Sequence, residues 1–183
     1  MQPPLGLPSR YHGGMSATTH RHCHLQTPLG PMILARTAQG LCGAWFEEGQ
    51  KDSPPPGRYP QAQDDAHDAL LQQVCARLRA YFAGEPLALD VPIDLSAGTE
   101  FQQAVWHELL HLGHGQLGSY GAIARAIGRP KAVRAVGAAV GRNPISILVP
   151  CHRVLGSTGL LTGYAGGLWR KQALLKLEGH SLL

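Results

Sequence analysis

Two short helical patterns meet at Gly128-Arg129, and that junction constrains the fold more than any other feature of the chain. Ser119 can cap the first, whose apolar positions Tyr120, Ile123, Ala124 and Ile127 end at Gly128. Pro130 suits the first turn of the second, which runs to about Gly141. Helices this short with so tight a connection read as a helix-turn-helix. At 100° per residue, Val133, Val136, Gly137 and Val140 fall on one side of the second helix. Lys131, Arg134, Ala135, Ala138 and Arg142 fall on the other. Cations interleaved with alanines form a face that holds phosphate and lets a backbone approach a groove closely; a merely solvated face is the equally weighted alternative.

Around this junction the periodicity changes along the chain. From Cys23 to Phe46, short apolar runs separated by TPLGP and TAQG predict a three-stranded antiparallel meander. Leu70, Leu71, Val74, Cys75, Leu78, Tyr81 and Phe82 then recur at helical spacing up to Gly84, giving a helix to cover one sheet face. The Pro-broken segment GEPLALDVPIDLSAG carries the chain onward to Thr99, which with Gln102 forms a capping box before Phe101, Val105, Leu109 and Leu112. The expected fold is α+β: a small N-terminal antiparallel sheet with a helix, followed by a mainly helical C-terminal domain containing the helix-turn-helix. Its expected divisions are a disordered tail over 1–20, a support domain over 21–96 and a second domain over 97–183. Met15 is an alternative start.

Charge divides the same way. Residues 99–183 carry nine Lys or Arg against three Asp or Glu, a balance of +6; residues 1–98 carry seven against nine, a balance of −2. A basic half suits a polyanionic partner. No apolar run approaches the roughly 20 residues needed to cross a bilayer, and the opening MQPPLGLPSR lacks a signal-peptide pattern, so a cytoplasmic protein with no membrane partner is expected. Cys23, Cys42, Cys75 and Cys151 are widely spaced and form no CxxC pair, so neither a zinc ribbon nor a disulfide framework is suggested. His20, His22, Cys23 and His24 cluster near the expected tail, where a metal site is not expected.

Chemistry concentrates after the second helix. Asn143-Pro144 leads into the buried-strand pattern ISILV and then Pro150-Cys151-His152-Arg153-Val154. A thiolate is the nucleophilic form of cysteine, so Cys151 needs a base or a nearby positive charge, and His152 and Arg153 are candidates. In an extended chain, Cys151 and His152 would point opposite ways, and a proton could pass between them only through a turn or a water. Glu178 is the best carboxylate to orient the histidine. A Glu in the last helical turn opposes the helix dipole, and helix stability alone would favour a Lys there.

These segments resemble the O6-alkylguanine-DNA alkyltransferase (methylated-DNA-protein-cysteine methyltransferase) family over about residues 25–183. The likeness rests on TPLGP, SYGAIA, KAVRAVGAA, RNPISILVPCHRV and GLLTGYAGGLWRKQALLKLEGH in this order. It implies direct DNA repair: the Cys151 thiolate takes an alkyl group from O6 of guanine, or less readily O4 of thymine, and the stable thioether ends the protein's activity after one turnover. The same resemblance implies that His152 acts as base through water, that Glu178 orients it, and that Asn143 braces the cysteine segment. Tyr120 would hold the extruded base and Arg134 would fill the gap it leaves, with Lys131, Ala135, Ala138 and Arg142 facing the minor groove. Carbonyls of Cys151 and Val154, the amide of Ala165, Tyr164 and Gly166 would form the base pocket. Position 165 is Ala where some members have Ser, which removes a hydroxyl and keeps the amide. The ligands of the zinc that some members carry are not recognisable. The implied partner is duplex DNA bearing the lesion, bound by a monomer without cofactor or metal. A cysteine hydrolase, a helix-turn-helix regulator and a non-catalytic alkyltransferase-like protein are the competing classes. The first would turn over, the second makes Cys151 incidental, and the third lacks the cysteine.

Overall fold

The computed structural model describes residues 20–181 apart from 56, 60–63, 66 and 158, so the expected tail, save His20, and the alternative start lie outside the described residues. β1 (Arg21–Leu25), β2 (Met32–Arg36) and β3 (Leu41–Phe46) form the predicted antiparallel meander in the order β1-β2-β3. Their inward residues Cys23, Leu25, Met32, Leu34, Ala44 and Phe46 are buried, as period-two alternation requires. The cluster His20, His22, Cys23 and His24 is therefore held in and beside β1. Alternation sends Cys23 to the core side, and His24 bonds Asp64 instead at 2.6 Å. Among the described residues, no group of three or more His, Cys, Asp or Glu is arranged to hold a metal ion.

α1 (Ala69–Phe82) packs on β1 and β2 and is capped by Asp68, whose carboxylate accepts from Leu71 N. The segment after it returns to the sheet at a single parallel bridge between Leu41 and Ile93. α2 (Glu100–Leu109) opens with the complete Thr99/Gln102 capping box, and α3 (Tyr120–Ala126) with Ser119 accepting from Ala122 N. At Gly128 the chain takes φ +69°, the left-handed conformation that ends α3. α4 (Val133–Gly141) starts three residues later than Pro130 suggests, because Arg129–Ala132 forms a closed turn first, with Ala132 N donating to Arg129 O at 2.8 Å. Val133, expected inside, is 40% exposed at the first position of the helix, while Val136, Ala139 and Val140 are buried. Trp106 donates from Nε1 to Ala139 O at 2.8 Å and ties α2 to α4.

The expected ISILV strand does not form. Its contact with the sheet is one bridge, in which Ala44 N donates to Pro144 O and Ser146 N to Ala44 O, both at 2.9 Å. Turns then carry the chain through Ile147, a buried residue at φ +72°, where a β-branched side chain is strained. Asn143 replaces the missing ladder: its Nδ2 donates to Ile145 O and Val149 O, and its Oδ1 accepts from Ile145 N. Cys151–Arg153 form one turn of 3-10 helix. β5 (Val154–Leu155) follows at once and pairs in parallel with β4 (Gly118–Ser119), and α5 (Leu168–Leu177) ends at Glu178. No helix is long and apolar enough to cross a membrane among the described residues. The architecture is α+β, a small antiparallel sheet joined to a helical C-terminal half.

Candidate functional site

The turn at Cys151–Arg153 sits between two anchors, the Asn143 brace before it and the β4–β5 pair after it. Gly118 lies opposite Val154 and Ser119 opposite Leu155, so Tyr120, which opens α3, follows directly from the strand beside the cysteine turn. The helix-turn-helix is thereby positioned by the segment that carries Cys151.

Cys151 is 5% exposed, and its Sγ lies 3.0 Å from Asn143 Nδ2, which donates to it. Burial pushes the thiol up, opposed by that hydrogen bond and by the nearby Lys171 charge. The resting sulfur is therefore a thiol, and ionising it requires a proton acceptor. His152 is fully buried; its Nε2 is 2.8 Å from Glu178 Oε1, and its Nδ1 is buried with no hydrogen-bond partner. Burial also lowers the imidazole, against the pull of Glu178. A neutral ring that donates from Nε2 to the carboxylate leaves Nδ1 as a free acceptor.

Glu178 holds together more than the histidine. Arg153 donates to it from Nε and Nη2, both at 2.8 Å, Gly115 N donates at 3.3 Å, and Tyr81 Oη donates at 2.8 Å from α1. Burial opposes ionisation, yet the bonds from His152 and Arg153 outweigh it and keep the carboxyl well below its ordinary range. The C-terminal glutamate tolerates its unfavourable place on the helix dipole because four donor groups converge on it. Of these, Tyr81 could not be read from the sequence as anything but an apolar position of α1. Arg153 accompanies the carboxylate rather than the thiol.

Lys171 also belongs here and was not foreseen. It is fully buried within α5, and its Nζ donates to Val154 O at 2.6 Å and to Thr162 O at 2.8 Å. Burial lowers it to about 8. It pins the 162–163 loop to β5, and it already occupies one lone pair of the Val154 carbonyl. Beyond that loop, Gly166 is required: a Cβ there would stand 2.7 Å from the Tyr164 ring and 3.3 Å from Phe46. Arg170 braces the same stretch, donating to Gly166 O and Leu29 O and lying over the Phe46 ring at 4.3 Å. Ala165 is half-buried, with its carbonyl accepting from Lys51 N.

On α3 and α4 the placement is the opposite. Lys131, Arg134, Ala135, Ala138 and Arg142 are all exposed, as the helical period predicts, and Tyr120 packs close to Gly137. The fold thus presents an exposed cationic, small-residue face on α4 and, at the cysteine turn, a buried hydrogen-bonded cluster of His152, Arg153 and Glu178.

Both halves of the chain match known proteins. Residues 21–95 match the family model of the 6-O-methylguanine DNA methyltransferase ribonuclease-like domain, and residues 100–180 match that of the 6-O-methylguanine DNA methyltransferase DNA binding domain. The chain is 47% identical over 154 residues to a methylated-DNA-protein-cysteine methyltransferase of Methanosarcina acetivorans, an alignment covering 84% of this chain and 95% of that protein. It is 44% identical over 163 residues to that of Mycobacterium leprae, covering 88% and 94%. Among solved structures it resembles Mycobacterium tuberculosis OGT in complex with DNA, with a TM-score of 0.73 and 44% identity over 86% of this chain and 92% of that one.

Proposed function

Since the chain belongs to the 6-O-methylguanine DNA methyltransferase family and repairs DNA by alkyl transfer, we propose that Cys151 is the acceptor and that the protein is consumed by one reaction. What carries the assignment is the setting of one sulfur. It receives the Asn143 amide at 3.0 Å, and the neighbouring His152 is bound through Nε2 to Glu178 while Nδ1 stays unpartnered.

A water between Cys151 Sγ and His152 Nδ1 takes the thiol proton and passes one to the ring. Glu178 then faces an imidazolium and an Arg153 guanidinium, the charges it is already arranged to hold. The thiolate attacks the alkyl carbon in line with its bond to O6 of guanine. The S–C bond forms as the C–O bond breaks, and the electron pair returns to the purine, which regains its ordinary carbonyl. A thioether is a poor leaving group, so the thiol is not regenerated. O4-alkylthymine reacts by the same displacement, more slowly.

The reacting atom lies inside the duplex, so the base must leave the stack, at a cost of a few kcal/mol that is smaller where pairing is already damaged. The exposed face of α4 enters the minor groove, its alanines allowing close approach and Lys131 and Arg142 meeting phosphates. Arg134 fills the vacated stack and Tyr120 crowds the phosphate beside the lesion. In the pocket, Cys151 and Val154 carbonyls accept from the base amino group, the Ala165 amide donates toward O6, and Tyr164 with Gly166 shapes the wall. The protein acts as a monomer in the cytoplasm, without a cofactor.

Incubation with duplex DNA containing O6-methylguanine should add one methyl group, on the peptide bearing Cys151, with a stoichiometry of one per protein. Repeated turnover, or methylation of Cys23, Cys42 or Cys75 in its place, would refute the assignment.

A further inference from the structure

A second sulfur site lies between the sheet and α1. Cys23 of β1 and Cys75 of α1 meet with their Sγ atoms 3.7 Å apart, fifty-two residues apart in sequence. Each is only 7% exposed, but both line a cavity of about 480 Å³ whose other walls include His24, Asp64, Gln72 and Arg79. We propose that Cys23 and Cys75 form a reactive dithiol, distinct from the alkyl acceptor, which small peroxides oxidise to an intramolecular disulfide joining β1 to α1.

Three features support this. The sulfurs already touch, so side-chain rotation need close only the distance from contact to the S–S bond of about 2.05 Å. The cavity admits a molecule the size of hydrogen peroxide to the pair. The two thiols are also unequal. The contact with Cys23 holds Cys75 below its ordinary value, Arg79 one helical turn on acts the same way against burial, and the same contact pushes Cys23 up. Cys75 is the sulfur that ionises first.

The chemistry balances with peroxide as the single co-reactant. The Cys75 thiolate attacks one peroxide oxygen, the O–O bond breaks, and hydroxide leaves with the proton of Cys23, giving a sulfenic acid on Cys75. The Cys23 thiolate attacks that sulfur, the S–S bond forms, and a second hydroxide leaves and is protonated. Two thiols are oxidised and one peroxide is reduced to two waters. Cys151 offers no comparable target, because its sulfur is bonded by the Asn143 amide and not by a second thiol, and burial keeps it protonated.

The test uses the full chain with equimolar hydrogen peroxide, followed by alkylation of remaining thiols and mass mapping. The expected result is a loss of two hydrogens, a cross-link between tryptic peptides 22–36 and 59–77, full reversal by dithiothreitol, and undiminished methyl acceptance by Cys151. Cys23→Ser should instead accumulate a dimedone-reactive sulfenic acid on Cys75, whereas Cys75→Ser should leave Cys23 reduced; methyl acceptance by both variants verifies that they fold. Oxidation of Cys151 first, over-oxidation without a cross-link, or no reaction of the pair would each overturn the proposal.

Discussion

Two sets of cations in the C-terminal half have opposite surroundings. Arg153, Arg170 and Lys171 are buried, and each is bonded to a carboxylate or to backbone carbonyls. Lys131, Arg134 and Arg142 are exposed, with no side-chain hydrogen bond or ion pair among the described residues. A buried cation costs several kcal/mol unless its partners compensate, so the first group is fixed by the fold and can orient atoms but has no freedom to reach for a ligand. The second group is stabilised by water alone and can exchange that water for phosphate. The same residue types are thus locked by the fold in one region and left available to an external partner in the other.

Five substitutions test that division. The largest effect should come from Glu178→Gln, which leaves the buried Arg153 and His152 without their anion. We expect a stability loss of about 3–5 kcal/mol in denaturant unfolding and a fall of roughly a hundredfold or more in methyl transfer. The folded carboxyl lies below its ordinary value of 4.5, so its stabilisation is complete above that pH and is lost progressively as pH falls below it. Wild-type stability should therefore drop steeply in acid, and the variant's profile should be flatter across the same range. Equal profiles would show that Glu178 is not the anchor of the buried group.

Tyr81→Phe should follow, costing about 1.5–3 kcal/mol for one hydrogen bond to a charged acceptor. It should also move the acid limb of the transfer rate to higher pH, because the carboxylate loses a donor. A purely structural tyrosine would lower stability and leave that limb in place. Arg134→Ala should slow transfer in duplex DNA by about tenfold or more, since flipping a base costs a few kcal/mol, and leave reaction with free benzylated guanine unchanged. Equal slowing of both substrates would place Arg134 with the buried group and break the comparison. Smallest of all, Lys131→Ala or Arg142→Ala should each reduce the salt dependence of DNA binding by about one phosphate contact, with no change in the chemical step.

Residues acting through a regular period were readable in advance. The face of α4, the Thr99/Gln102 box and the three-stranded meander all follow from spacing and capping chemistry, because those depend on neighbours a few positions away. The relay was readable in part: Glu178 stood out as an acid at the wrong end of a helix. What escaped depends on long-range convergence. Tyr81 meets Glu178 across ninety-seven positions, and Lys171 looks like a surface residue of α5 until its ammonium is seen between Val154 and Thr162. ISILV misled because its apolar run was read as a strand, whereas Asn143 satisfies its backbone groups and lets the chain turn.

Ile147 shows what that turn demands. A β-branched residue at φ +72° is disfavoured by roughly 1–3 kcal/mol and persists only when its surroundings leave no alternative. The Asn143 side chain and the Val149 N to Ile145 O bond select that shape from within the segment, and Ala44 of the sheet selects it from outside. The loop before Cys151 is therefore fixed jointly by its own hydrogen bonds and by the sheet it leans on, and the pairing of His152 with Glu178, twenty-six positions on, belongs to the assembled fold and not to the local sequence. In a protein that can react only once, the proposed base is thus built by the same contacts that hold the two halves of the site together.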